Sequence, residues 1–174
     1  MVGVVGDGRP LERLAGEDFV AVYDRSVSDV YSYLYSRLRD RALAEDLTQD
    51  VFLDGARRAA SGQSVEVPWL IAVARNKLVD HWRTTSRRER RLRLIRNDPE
   101  VEDAPFEVLD QSRAAEVLQT LNTTYRAALV LRHVDGLSVP QVAEHLSRTV
   151  AATEQILSRA RTAFRREYGD PAHA

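Results

Sequence analysis

Arginine beside tryptophan is the pairing in this chain whose types and spacing could do chemistry. It is concentrated in residues 68–96, PWLIAVARNKLVDHWRTTSRRERRLRLIR. From Arg83 to Arg96 there are seven arginines and one acid, Glu89, and Trp69 and Trp82 lie just upstream. Guanidinium groups neutralise phosphates and aromatic faces stack on bases, so the stretch suits nucleic acid. It suits a solvated helix end equally well, and on this stretch alone both readings stand.

Other groupings offer less. Glu45, Asp46 and Asp50 fall close together, but no histidine or other ligand is in register with them, so neither a metal site nor acid–base work is expected. His81, His133, His145 and His173 are scattered, and the chain has no cysteine. There is no Gly-rich phosphate loop and no Ser–His or His–carboxylate spacing, so no enzyme, catalytic residue, metal or cofactor is expected. Net charge is −1, so any nucleic-acid binding must come from local patches. The absence of cysteine fits a reducing cytoplasm. No apolar run reaches the roughly 20 residues of a membrane span, and no membrane insertion is expected.

The elements that must position these groups read as helices throughout. With 44% apolar and 29% charged residues, the 174-residue chain suits a soluble all-α protein of one domain or two small ones. Residues 1–15 read as a flexible lead-in. Residues 17–39 place Phe19, Val22, Tyr23, Val30, Tyr33, Leu34 and Leu38 at helical spacing, as one helix or two. In residues 42–60, Leu43, Leu47 and Val51 share a face, while Phe52 and Leu53 fall off it near Glu45, Asp46 and Gln49. Such a helix is either sandwiched in a core or carries a second face for a partner. A loop at 61–67 precedes Pro68, which suits a first helical turn, and Asn76 is expected to cap a new turn or sit exposed at a break. Six of the fourteen residues 97–110 are acids, with two prolines and no base: an acidic linker and a domain boundary, which either lies over the arginines before it, enters a basic groove of a partner, or is simply solvated.

Beyond it, Ala114, Val117, Leu118 and Leu121 mark one helix and Tyr125, Ala128, Leu129 and Leu131 a second, with Asn122 and Thr123 between them and Asp135-Gly136 as the stop. Ser138 caps a short helix with Pro140 in its first turn, and Ser147 to Thr149 lead into a longer helix. This is the helix-turn-helix pattern, with Ala143 at the crossing. At 100° per residue, Val150, Thr153, Leu157, Ala160, Phe164 and Tyr168 form the buried stripe. Ala151, Gln155, Ser158 and Thr162 lie opposite, flanked by Arg148, Ala152 and Arg159, as a groove-bound helix requires, with Arg165 and Arg166 left for phosphates. An ordinary helical hairpin is the competing reading; the small Ala143, the turn length and the arginines favour DNA.

AEDLTQDVF (residues 44–52), PWLIAVARNKLVDHWR (68–83) and LSVPQVAEHL…SRAR (137–161) together resemble the extracytoplasmic-function sigma factors of bacterial RNA polymerase. The likeness runs in order over about residues 19–167. It implies sigma region 2 at 16–96, an acidic linker at 97–110, sigma region 4 with the helix-turn-helix at 111–168, and a tail at 169–174. It also implies an alternative sigma factor that binds core RNA polymerase through the clamp helices of the largest subunit, directs it to promoter DNA and helps open the −10 element. The matching positions for polymerase are Asp46, Gln49, Asp50, Phe52 and Leu53. For the −10 element they are Trp69, Arg75, Asn76, Lys77, Asp80, Arg83, Arg87 and Arg88, with Asn76 and its neighbours at the capture of a flipped base. For the −35 element they are Arg148, Thr149, Ala151, Ala152, Glu154, Gln155, Ser158 and Arg159. The family implies a cytoplasmic protein, an anti-sigma factor as a further partner, and a linker that threads the polymerase's positively charged RNA path.

The chain departs from the family at Ser147, where a Gly is usual, and at Glu154, where a base is usual. An atypical −35 preference follows, since a carboxylate repels phosphate and accepts from cytosine N4. A stand-alone helix-turn-helix regulator, or a helical protein that binds polymerase without reading promoters, are the alternatives.

Overall fold

The computed structural model describes residues 11–92 and 111–169, with side chains from Phe19 to Arg91 and from Gln111 to Gly169. Of the lead-in expected at residues 1–15, residues 11–15 are instead helical; residues 1–10, the acidic linker, Arg93, Arg96 and the tail after residue 169 lie outside the described residues. All regular structure among the described residues is helical. The helices are α1 (Leu11–Leu38), α2 (Arg41–Ala60), α3 (Val67–Leu92), α4 (Gln111–Thr120), α5 (Thr123–Leu129), α6 (Val139–Leu146) and α7 (Val150–Gly169). The chain divides into two units between Lys77 and Leu78.

In the first unit, α1 is one helix rather than two. Its inward stripe is Val22, Ser26, Val30, Leu34 and Leu38. Ser26 is tolerated there because its hydroxyl donates to the Val22 carbonyl oxygen. Each fully buried leucine on such a stripe contributes about 1.5–3 kcal/mol. Asp40 starts α2 by accepting from the Leu43 N–H at 3.1 Å, a cap worth about 1 kcal/mol.

The buried residues of α2 are Ala44, Thr48, Val51, Phe52 and Gly55. This corrects the sequence expectation of a Leu43–Leu47–Val51 face, because both leucines are only half-buried. Small residues mark the true stripe: a Cβ added at Gly55 would stand 3.0 Å from the Phe19 ring and 3.3 Å from the Leu70 side chain. Residues that permit close approach carry little hydrophobic signal, so the apolar pattern points one position away from the buried stripe.

The second unit holds the C-terminal part of α3 with α4 to α7. Its main core joins Val117 and Leu121 of α4, Ala128 and Leu129 of α5, and Leu157, Ala160 and Phe164 of α7. A second cluster joins Val79 of α3 with Leu131 and Val142. Asn122 caps α5 by accepting from the Tyr125 N–H at 2.9 Å. After Leu129 the helix widens into a π turn, Val130–Val134, which has no composition signature in sequence. Gly136 ends it with φ +69.

Candidate polymerase and nucleic-acid surfaces

The outward side of α2 carries Asp46, Gln49 and Asp50, all exposed, and Leu53, which is 54% exposed. An aliphatic side chain thus stands in water beside two carboxylates. Phe52 does not belong to that side. It is buried, and its ring meets Tyr23 edge-on with centroids 4.7 Å apart. The outward side of α2 therefore lacks Phe52, whose ring holds α2 to α1.

On α3 the structure removes an expected break. The helix runs uninterrupted from Val67 to Leu92, with Asn76 exposed in its interior. No Gly or Pro occurs between Pro68 and Leu92, and one Asn costs a helix less than about 0.7 kcal/mol. At 3.6 residues per turn, Trp69, Asn76, Asp80, Arg83 and Arg87 fall on one side of α3. Trp69, Asp80 and Arg83 have partners within the fold. The Arg58 guanidinium lies 4.9 Å from the Trp69 ring centroid, and Arg58 Nε also donates to the Ser64 carbonyl at 2.7 Å. Asp80 pairs with Arg83 at 3.3 Å. Arg75 is half-buried, while Arg87 and Arg88 are exposed.

Lys77 is turned toward α2, where Nζ lies 2.8 Å from Asp54 Oδ2. The Lys77 hydrogen bond, joined by Arg57, holds the Asp54 carboxyl below its ordinary range. Trp82 is core: it is 2% exposed and its indole N–H has no partner among the described residues. Of the two tryptophans, only Trp69 keeps an accessible ring.

The helix-turn-helix forms as the spacing predicts. Ser138 and Gln141 make a reciprocal capping box, with the Ser138 N–H donating to Gln141 Oε1 at 2.8 Å. Ala143 is buried. Ser147 takes φ +50, a left-handed conformation that favours glycine. The Ala152 N–H donates to Thr149 Oγ1 at 3.2 Å at the start of α7.

Thr153, Leu157, Ala160 and Phe164 face inward as expected, but Val150 is 44% exposed because no earlier turn of α7 covers it. Arg148, Thr149, Ala151, Glu154, Gln155 and Arg159 are exposed, and Ala152 and Ser158 half-buried. These eight form one outward polar surface on the turn and α7.

Glu89 was missed by sequence reasoning. Its carboxylate accepts from Thr123 Oγ1 at 2.6 Å and from the Thr123 N–H at 3.2 Å. The available signal was its solitude: a lone acid in an arginine run is out of place in a phosphate patch.

The profile described as Sigma-70 region 2 matches residues 22–88, and that described as Sigma-70, region 4 matches residues 112–164. An ECF RNA polymerase sigma factor SigK of Mycolicibacterium vanbaalenii is 32% identical over 166 residues, covering 90% of this chain and 83% of the relative. The chain belongs to the ECF RNA polymerase sigma factors. A further relative, the sigma factor BldN of Streptomyces coelicolor, is 30% identical over 82% of this chain and 57% of its own length. Among solved structures, RpoE in complex with the anti-sigma factor NepR from Bartonella quintana aligns with a TM-score of 0.53 and 20% identity, covering 89% of this chain and 99% of that one, a likeness of fold.

As an ECF sigma factor the chain binds core RNA polymerase, directs it to specific promoters and helps open the −10 element. Sigma factors are non-enzymatic initiation factors. Among the described residues no group of three His, Cys, Asp or Glu could hold a metal ion, and no helix is long and apolar enough to cross a membrane.

Proposed function

We propose how this sigma factor divides its work among the three surfaces. The exposed side of α2, with Asp46, Gln49, Asp50 and Leu53, docks on the clamp helices of the polymerase's largest subunit, and Phe52 fixes the pitch of that side from within. The side of α3 carrying Trp69, Asn76, Asp80, Arg83 and Arg87 receives the −10 element, with Arg88 on phosphate. Arg75 and Asn76 contact the extruded base. Lys77 takes part only by exchanging Asp54 for nucleic acid.

The outward surface of the turn and α7 reads the −35 element: Arg148, Thr149 and Arg159 on the backbone, Gln155 and Glu154 on base edges, Ala151, Ala152 and Ser158 in close contact with the groove. Gln pairs with adenine, and Glu accepts from cytosine, at about 1–3 kcal/mol each.

Region 2 takes in residues 16–96, including the end of α3 that packs in the second unit, and region 4 residues 111–168, with the acidic linker 97–110 entering the polymerase's basic path. The chain itself catalyses nothing, works in the cytoplasm, and is held in check by an anti-sigma factor that covers the α2 and α3 surfaces.

The observation that carries this reading is the co-occurrence, in one chain, of an arginine-lined helix side following Trp69 and a helix-turn-helix with an outward polar face. The test is a gel shift on a promoter fragment with and without core polymerase. A stable shift only with core is expected. A strong, palindrome-dependent shift by the chain alone would replace the reading with that of a stand-alone regulator.

A further inference from the structure

Four arginines of the second unit converge on one recess. Arg83, Arg87 and Arg90 of α3 and Arg148 of the α6–α7 turn line a cavity of about 200 Å³, together with the hydroxyls of Ser86 and Thr124. An adjoining cavity of about 210 Å³ shares Ser86, Arg90, Thr124 and Arg148. Among the described residues no carboxylate lines the first. The one lining the second, Glu89, already accepts two hydrogen bonds from Thr123.

The side chains of Arg87, Arg90 and Arg148 make no ion pair or hydrogen bond among the described residues, and Arg83 is steered by Asp80 and by the Ser147 hydroxyl. Like charges brought together around a concavity repel one another unless an anion enters, and a low-polarity wall strengthens both effects. Here the wall is supplied by Trp82, Ala127 and Leu146.

We infer that this recess binds a small phosphorylated ligand, a pyrophosphate or phosphomonoester group. Guanidinium forks match phosphate oxygens in pairs, and hydroxyls supply the remaining donors. Several cations call for a ligand of more than one negative charge. A duplex cannot enter a recess of this size, which separates the site from the groove-reading surface of α7. Arg83 and Arg87 also belong to the proposed −10 surface, and Arg148 to the −35 surface, so a bound anion withholds all three from DNA. The binding step itself needs neither polymerase nor promoter.

The experiment is calorimetric titration of the full chain with inorganic pyrophosphate at ionic strength held constant with chloride. A short single-stranded oligonucleotide is titrated in parallel. One saturable site for pyrophosphate is expected. The triple variant Arg87→Gln, Arg90→Gln, Arg148→Gln should weaken it by about tenfold or more, and the control Arg25→Gln, on α1, should leave it unchanged. If the triple variant does not fold, Arg148→Gln carries the test, because its side chain is exposed and makes no ion pair or hydrogen bond among the described residues. Pyrophosphate binding that is absent, unsaturable or equal in wild type and variant would overturn the inference. So would binding confined to the oligonucleotide.

Discussion

Lys77 Nζ stands 2.8 Å from Asp54 Oδ2, tying α3 to α2 within the first unit. The carboxylate is also reached by Arg57 at 2.9 Å. Lys77 falls at a position where the family resemblance implies contact with nucleic acid, yet its ammonium is committed within the fold.

The pair has a pH signature. The Asp54 carboxyl is held below its usual value, by Lys77 first and Arg57 after it. A depressed folded-state pKa contributes stability that is fully present above the unfolded value, about 3.9. That contribution is lost as pH falls through the lower folded value. With both partners part-exposed it amounts to about 1 kcal/mol or less. Lys77→Ala should move the Asp54 titration upward, as read by carboxyl carbon chemical shifts. An unmoved titration would mean the ammonium is not what holds it.

Phe52 and Leu53 are neighbours with opposite expected behaviour. Phe52→Ala empties a buried position and should cost about 3–5 kcal/mol of stability by urea unfolding. Leu53→Ala should leave stability within about 0.5 kcal/mol and weaken core-polymerase binding by about 1–2 kcal/mol. If Leu53→Ala bound polymerase like wild type, the outward side of α2 would not be the docking surface.

These two positions also mark the limit of what the sequence carried. The helix-turn-helix was legible because its signals are local: Ser138 and Pro140 at a helix start, Ala143 at the crossing, and a strong three-four spacing in α7. The α2 stripe was not, because Ala44, Thr48 and Gly55 are small, and close packing is a property of pairs of helices. The expected break at Asn76 did not form because one weak helix former cannot stop a helix whose neighbours on both sides pack inward. Ser147 stands where the family usually has Gly, and its φ of +50 supplies the physical reason, a left-handed turn residue. The π turn and the Glu89–Thr123 contact depend on residues far apart or on backbone geometry, which no periodicity records.

Glu89 separates two accounts of the arginine run. On charge alone, removing it should strengthen binding to DNA. With its carboxylate on Thr123, Glu89→Ala should instead destabilise the second unit by about 1.5–3 kcal/mol. A double-mutant cycle with Thr123→Val, followed by urea unfolding, should give a coupling of about 1 kcal/mol or more. Strictly additive effects would mean the contact contributes nothing.

Glu154 is exposed where a groove-bound helix meets bases. Binding selection with reconstituted holoenzyme should return a −35 element unlike the common family motif. Glu154→Gln should shift preference at a single base pair by about 1–3 kcal/mol and leave the others alone. Recovery of the common motif by the wild-type chain would remove Glu154 from the readout.

The most direct measurement of the whole account is in vitro transcription with core polymerase and a genomic DNA library, with start sites mapped and permanganate reactivity followed at the −10 element. Wild-type chain should give discrete starts downstream of a shared pair of elements. Asn76→Ala should keep duplex binding while losing most permanganate reactivity. Starts no more specific than those of core polymerase alone would contradict the account. So would opening unaffected by Asn76→Ala, as regards the role given to α3.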